Sequence, residues 1–400
     1  ALTLDNINER VMTGAADFVT LASLDISDGG VISTGGTVSL SGGGQLSGAG
    51  ILDVSGSTWT LGGVFVKSNG TLTISQTNLA LSGNSTLTSD EALSFVNLEL
   101  DNSTLTLGSP TTNLTVENDI TIDTSTEGIS TGEADLTLQG GFILEGGLLS
   151  STGGKVSFEK GAGQSGGSLD VSDSTLKLGD NYIKTAGTLT ATGDGTILEL
   201  TESLSFTSNT PVSVKTLSLN DKTLTLGSVS SGLQVSSALI LDNSNERVMT
   251  GAADLSLLAF QDISIGGVTS TGGTISLLAG GQLSGAGILD VSGSTWTLGG
   301  VFAKSSGTLT ISQTNLALSG NSTLTSDEAL SFVNLELDNS TLTLGSPTPN
   351  LTVENAITID TSTEGILTGG ADLLLSALTL SAGDVTSTGG IVSLSGGGQL

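Results

Sequence analysis

The chain repeats itself on nested scales, and the finest scale restricts the fold most. Short runs alternate apolar and polar residues: Leu98-Glu99-Leu100, Leu105-Thr106-Leu107, Leu114-Thr115-Val116 and Ile120-Thr121-Ile122. Period two is the signature of a strand with one side inward and one outward. Turn-formers separate the runs, as in Asp101-Asn102-Ser103, Gly108-Ser109-Pro110 and Glu117-Asn118-Asp119. The runs are three to five residues long and recur every seven to nine residues. No window carries an i, i+3, i+4 apolar pattern long enough for a substantial helix.

Longer periods lie above this one. The segment Thr71–Thr111 returns unchanged at Thr308–Thr348, displaced by 237 residues, and Gly50–Trp59 returns at Gly287–Trp296. The string Ser-Thr-Gly-Gly begins at Ser33, Ser151, Ser270 and Ser387. A Thr-Gly-x-Ala-Asp mark begins at Thr13, Thr131, Thr250 and Thr368. Both marks recur every 117 to 119 residues, so the unit is about 118 residues in two alternating versions. The predicted units are 1–118, a variant 119–237, 238–355 and a partial 356–400, within one continuous array. Identical copies suit a spacer, which needs length, better than an enzyme, which needs one site.

Few architectures accommodate this pattern. A β-sandwich of 118 residues wants longer strands, a more aromatic core and linkers between domains. A propeller would show a blade period near 40–50 residues, which is not found. A parallel β-solenoid fits: rungs of about 20–24 residues, each of three short strands, five or six rungs per unit. Some 17–20 rungs at ~4.8 Å would extend about 80–95 Å. In Thr-Leu-Thr triplets such as Thr71-Leu72-Thr73 and Thr104-Leu105-Thr106 the leucine points inward. Leu72, Leu87, Leu105, Leu114 and Ile122 are predicted core residues with exposed Thr or Ser flanks, and Trp59 and Trp296 alternate as core residues too. The Leu-Asp-Asn corners at Leu4, Leu100, Leu241 and Leu337 are candidates for stacked polar ladders.

Composition removes whole classes of chemistry. The 400 residues include no histidine and no cysteine, so Ser-His-Asp and Cys-His catalysis, imidazole ligation, disulfides and thiolate metal sites are excluded. Thirty-nine acidic against 10 basic side chains give a net charge of −29, which repels nucleic acid and anionic lipid. Disorder does not follow, because 36% of the residues are hydrophobic and only 12% charged. No stretch approaches 18 apolar residues and no targeting signal is visible. Ala1–Leu21 closely matches Ala238–Leu258, and Ile391–Leu400 matches Thr37–Leu46, so neither end reads as a cap. The expectation is a segment of a longer polypeptide, or subunits that stack end to end.

Runs such as Gly70-Thr71-Leu72-Thr73-Ile74, Gly187-Thr188-Leu189-Thr190 and Ser103–Gly108 resemble the rungs of bacterial autotransporter passengers, filamentous-haemagglutinin-type adhesins and giant repetitive surface proteins. The resemblance covers essentially the whole chain. It implies an all-β, right-handed parallel β-solenoid (β-helix), secreted to the bacterial cell surface and used as a fibre or for adhesion.

Candidate chemistry is sparse. Some β-helices are polysaccharide lyases or hydrolases, and carboxylates occur at Asp90-Glu91, Glu117 with Asp119, Asp123 with Glu127, and Asp194 with Glu199. A hydrolase needs two of them facing one groove ~5–10 Å apart. Six of the ten basic residues fall between Phe142 and Gly232, the stretch that diverges most from the repeat. The tandem glycine-rich calcium nonapeptide is absent, with an isolated echo at Thr192–Thr196, so Ca²⁺ at stacked Asp corners is the one cofactor considered. Ice binding needs one T-x-T pair per rung, whereas the pairs at Thr58, Thr71, Thr86 and Thr104 are unevenly spaced. Sequons at Asn69, Asn84, Asn102, Asn113, Asn321, Asn339 and Asn350 arise by chance in so Ser/Thr-rich a chain.

The reading that results is a non-enzymatic shaft of a secreted surface fibre or giant adhesin, with no catalytic or cofactor residues assigned. Its partners would be further copies or length of itself, and host, neighbouring-cell or glycan surfaces. The alternatives are a carbohydrate-active β-helix enzyme and a ligand-binding adhesin module.

Overall fold

A computed structural model describes residues 1–227 and 232–399. Among these residues there is no helix, the strands are two to eight residues long, and the strand pairings are parallel. Paired residues are 18 to 24 positions apart, as in Gly369↔Ser387, Asn78↔Asn97, Leu24↔Gly44, Leu2↔Leu24 and Thr104↔Gly128. That is one turn of a parallel β-solenoid, the fold and rung length that the sequence predicts. The chain divides into two compact units, Ala1–Leu198 and Glu199–Leu400.

In the first unit one ladder stacks ten strands, from Leu2–Leu4 through Leu24–Ile26, Val64–Lys67 and Thr104–Gly108 to Thr188–Thr190. The second side of the turn begins with Arg10–Gly14, Gly30–Ser33, Ile51–Asp53 and Thr71–Thr73, and that ladder stops there. A new ladder on the same side opens with Leu93–Phe95. The third side runs from Phe18–Thr20 to Asn97–Glu99 and reopens at Ile120–Ile122. In the second unit two long strands, Val212–Ser218 and Leu233–Ile240, pair through a register shift between Val214 and Thr216, so each serves two sides of its turn.

The inward positions make an aliphatic column. Leu87, Leu105, Leu114 and Ile122 are fully buried, as predicted. Leu72 is only half-buried, because Thr71–Thr73 ends its ladder and pairs only with Ile51–Asp53. Leu189 and Leu309, in strands that also end their ladders, are half-buried for the same reason. The exposed-flank rule fails at Thr88, which is buried. Trp59 is wholly buried, edge-on to Phe65 at 4.9 Å and tilted against Phe95 at 6.1 Å. Trp296 repeats this with Phe302 at 4.8 Å and Phe332 at 6.2 Å. Both tryptophans are therefore core residues.

The 118-residue repeat and the three-sided turn are out of step. From Arg10–Gly14 to the strand before its counterpart, Gly128–Ser130, the chain makes 17 strands. From Arg247–Gly251 to the strand before Gly365–Gly369 it again makes 17. Seventeen is not a multiple of three, so a repeat is five and two-thirds turns, about 27 Å of stacking. Accordingly Arg10–Gly14 lies in the ladder of Gly30–Ser33, whereas Gly128–Ser130 lies in the ladder of Leu2–Leu4. In the second unit Arg247–Gly251 and Gly365–Gly369 likewise occupy different ladders. Each repeat thus presents its outward residues one side back, a third of a turn short of a whole number of turns, relative to the last.

Candidate functional site

The polar residues that recur are mostly fastenings between turns. The two 118-residue marks lock together. The Asp of Thr-Gly-x-Ala-Asp accepts a backbone N–H from the next turn at 2.8 Å in all four copies: Thr37 to Asp17, Lys155 to Asp135, Thr274 to Asp254 and Ile391 to Asp372. The second glycine of Ser-Thr-Gly-Gly lies against the Ala of the mark one turn earlier. A Cβ at Gly36, Gly154, Gly273 or Gly390 would collide with the carbonyl oxygen of Ala16, Ala134, Ala253 or Ala371. In the first three copies the serine of the same string is buried, and Ser33, Ser151 and Ser270 accept hydrogen bonds of 3.0, 3.0 and 2.8 Å from Ser57, Ser174 and Ser294.

A second fastening escapes sequence reasoning. Glu127 folds back on its own corner, its Oε2 accepting the N–H groups of Asp123 at 2.9 Å and Thr124 at 3.4 Å. Its Oε1 accepts the N–H of Asn102, 25 residues earlier, at 3.2 Å. Glu246 does the same with Asp242, Asn243 and Asp221 at 2.5, 3.0 and 3.1 Å. Glu364 does so with Asp360, Thr361 and Asn339 at 2.9, 3.4 and 3.2 Å. Glu9 makes the first two bonds, to Asp5 and Asn6. The usable signal was a Glu five residues after Leu or Ile at 9, 127, 246 and 364, in step with the repeat. Burial opposes the charge of Glu127, but the backbone donors outweigh it and hold its carboxyl below the ordinary range. At Glu364 the Asp360 N–H leads and the direction is the same.

The four Leu-Asp-Asn corners therefore do not stack as one ladder. Those at Leu4 and Leu241 begin glutamate corners, whereas Asp101-Asn102 and Asp338-Asn339 turn with φ of 41° and 56°, and 42° and 57°. An asparagine ladder exists elsewhere. Asn97 donates to Asn78 at 2.6 Å and Asn118 to Asn97 at 3.0 Å, with the same series at Asn315, Asn334 and Asn355.

The carboxylates singled out from sequence have different fates. Asp90 and Glu91 reach inward to the buried Lys67 ammonium at 2.5 and 3.2 Å, and Asp327 and Glu328 hold Lys304 at the same distances. Desolvation would lower the lysine pKa, but the paired carboxylates outweigh it and raise both. Asp119, Asp123 and Glu127 come together with Glu99 and Asp101 along an open groove of about 520 Å³. Ala356 replaces Asp119 in the copy 237 residues on. Glu117 is exposed, as is Asp194, while Glu199 is half-buried. Among the described residues no three Asp or Glu side chains converge to hold a metal ion.

The T-x-T pairs spread over three sides of the turn. Thr58 and Thr71 fall on the third and second sides, and Thr86 and Thr104 share the first. In the stretch Phe142–Gly232, Lys184 is buried and Lys222 approaches Glu202 at 3.8 Å, while residues 228–231 lie outside the described part. No protein-family model matches this chain, and neither a curated protein nor a solved structure does.

Proposed function

We propose that the chain is a non-enzymatic shaft, a spacer in a secreted bacterial surface fibre or giant adhesin. The observation that carries this reading is that recurring polar groups are spent on joining one turn to the next. The Asp marks, glutamate corners, asparagine series and Lys67 and Lys304 pairs repeat with near-identical distances in both units. An element whose task is length gains from such repetition, since each turn adds the same ~4.8 Å and the same interface. Its partners on this reading are further repeats of itself, and the surface charge of the acidic chain keeps neighbouring shafts apart at low salt.

The alternative, a ligand-binding adhesin module or a carbohydrate-active enzyme, draws on the groove of Glu99, Asp101, Asp119, Asp123 and Glu127. Negative-stain imaging of the native material separates the two. The shaft reading expects filaments of uniform width. Discrete compact particles that cleave or bind a glycan would replace it with the alternative.

A further inference from the structure

The glutamate corners join features that are costly to hold separately. Three of the four glutamates, Glu127, Glu246 and Glu364, reach the second residue of a left-handed pair in the turn before: Asn102 after Asp101, Asp221 after Asn220, and Asn339 after Asp338. These pairs have φ between 41° and 65°, a region that side chains other than glycine enter at a cost. Glu127 and Glu246 are buried, so water is a poor substitute for the three N–H groups they satisfy. We propose that Glu127 and its counterpart Glu364 are acid-released catches, whose protonation frees a strained corner of the preceding turn while the strand ladders stay paired.

The argument is one of acceptors. A carboxylate offers both oxygens to donors, whereas a carboxylic acid must place a proton on one of them and loses an acceptor. The oxygen with a single donor, Oε1, is the freer of the two to take the proton, and as a hydroxyl it is a poor acceptor for the N–H of the preceding turn. The corner of the preceding turn, whose φ values are strained, is then released.

The surroundings are largely acidic. Glu127 has Asp123 on its own corner, Glu99 and Asp101 on the preceding turn, Asp119 along the groove and Glu145 on the following turn. Glu246 has Asp242 and Arg247 beside it, Asp221 and Lys222 before it and Asp262 after it. Glu364 has Asp360 beside it, Glu336 and Asp338 before it and Asp384 after it. At Glu127 and Glu364 the backbone donors hold the carboxyl below its ordinary range, so the catch keeps its charge into more acidic solution than a free glutamate does. Opening is therefore local and late.

Hydrogen exchange tests this on the full chain, with protection corrected for the intrinsic rate at each pH. As pH falls from 7 through and below the ordinary glutamate range, the amides of Asn102, Asp123 and Thr124 should lose roughly tenfold or more of their protection before those of strand Asp135–Leu138 lose theirs. In Glu127→Gln the first three amides should already be less protected at pH 7 and show no further pH response. The Glu364 corner of the same variant should respond as in the parent, which also reports that the variant is folded. Corner amides that open only in step with the strands, or after them, would overturn the proposal. So would a Glu127→Gln variant that keeps the parent's pH profile at that corner.

Discussion

Gly154 lies against the carbonyl oxygen of Ala134, 20 residues earlier and one turn away, so closely that a methyl group at Gly154 would collide with it. Gly163, in strand Ala162–Gln164, is a glycine of the opposite kind. It has no positive φ, and a Cβ there would meet nothing within 4 Å. Gly154→Ala should therefore destabilise the chain by ~1–3 kcal/mol through overpacking. Gly163→Ala should be neutral or stabilise by up to ~1 kcal/mol, since glycine in a strand costs conformational entropy. Urea titration of the two variants checks the contrast, and equal midpoints would remove the proposed lock between the two sequence marks.

Leu105 and Leu72 test the column in the same way. Leu105 is fully buried between paired turns, so Leu105→Ala should cost ~2–5 kcal/mol. Leu72 sits at the end of its ladder and is half-buried, so Leu72→Ala should cost clearly less. Leu105→Asp should prevent a normal melt, because the charge would enter a dry column. Thermal unfolding measures all three, and a Leu105→Asp melt within a degree or two of the parent would reverse the inward assignment.

The Lys67 cluster should respond to alkali. Its ammonium has a raised pKa in the fold, so the stability it contributes is fully present below about 10.5 and is lost as pH climbs through the higher folded value. Asp90→Asn with Glu91→Gln leaves a buried ammonium without its carboxylates and should cost ~1–3 kcal/mol at neutral pH. Adding Lys67→Met should return much of that loss, since a similar apolar volume carries no charge to desolvate. A denaturation series in which Lys67→Met fails to rescue the double variant would show that the carboxylates act elsewhere.

Trp59 and Trp296 are wholly buried among phenylalanines, with no hydrogen-bond partner at either Nε1. Native emission should be blue-shifted and resist quenching by acrylamide, with both properties lost on unfolding. Quenching of one tryptophan in the folded chain would contradict its place in the core.

The architecture was legible because it rests on local chemistry. Period two places Leu105 and Leu114 inward without reference to anything distant, and short strands between turn residues leave little besides a solenoid. The tryptophans followed from the same alternation. What sequence could not supply was which residues meet one turn away. Glu127 looks like any solvated turn acid until Asn102 is brought beneath it, and Asp90 and Glu91 look like surface charge until Lys67 turns inward to them. Leu72 misled because its triplet is identical in form to that of Leu105, while its exposure is set by a ladder ending above it. The one-side offset of each repeat depends on counting 17 strands, and the count needs their boundaries.

Small-angle X-ray scattering on chains lengthened or shortened by one 118-residue repeat tests the shaft reading most directly. Each repeat should change the maximum dimension by about 27 Å and leave the cross-sectional radius unaltered. A maximum dimension that barely moves while the cross-section grows would mean that repeats pack side by side, and the account of this chain as a shaft would be wrong.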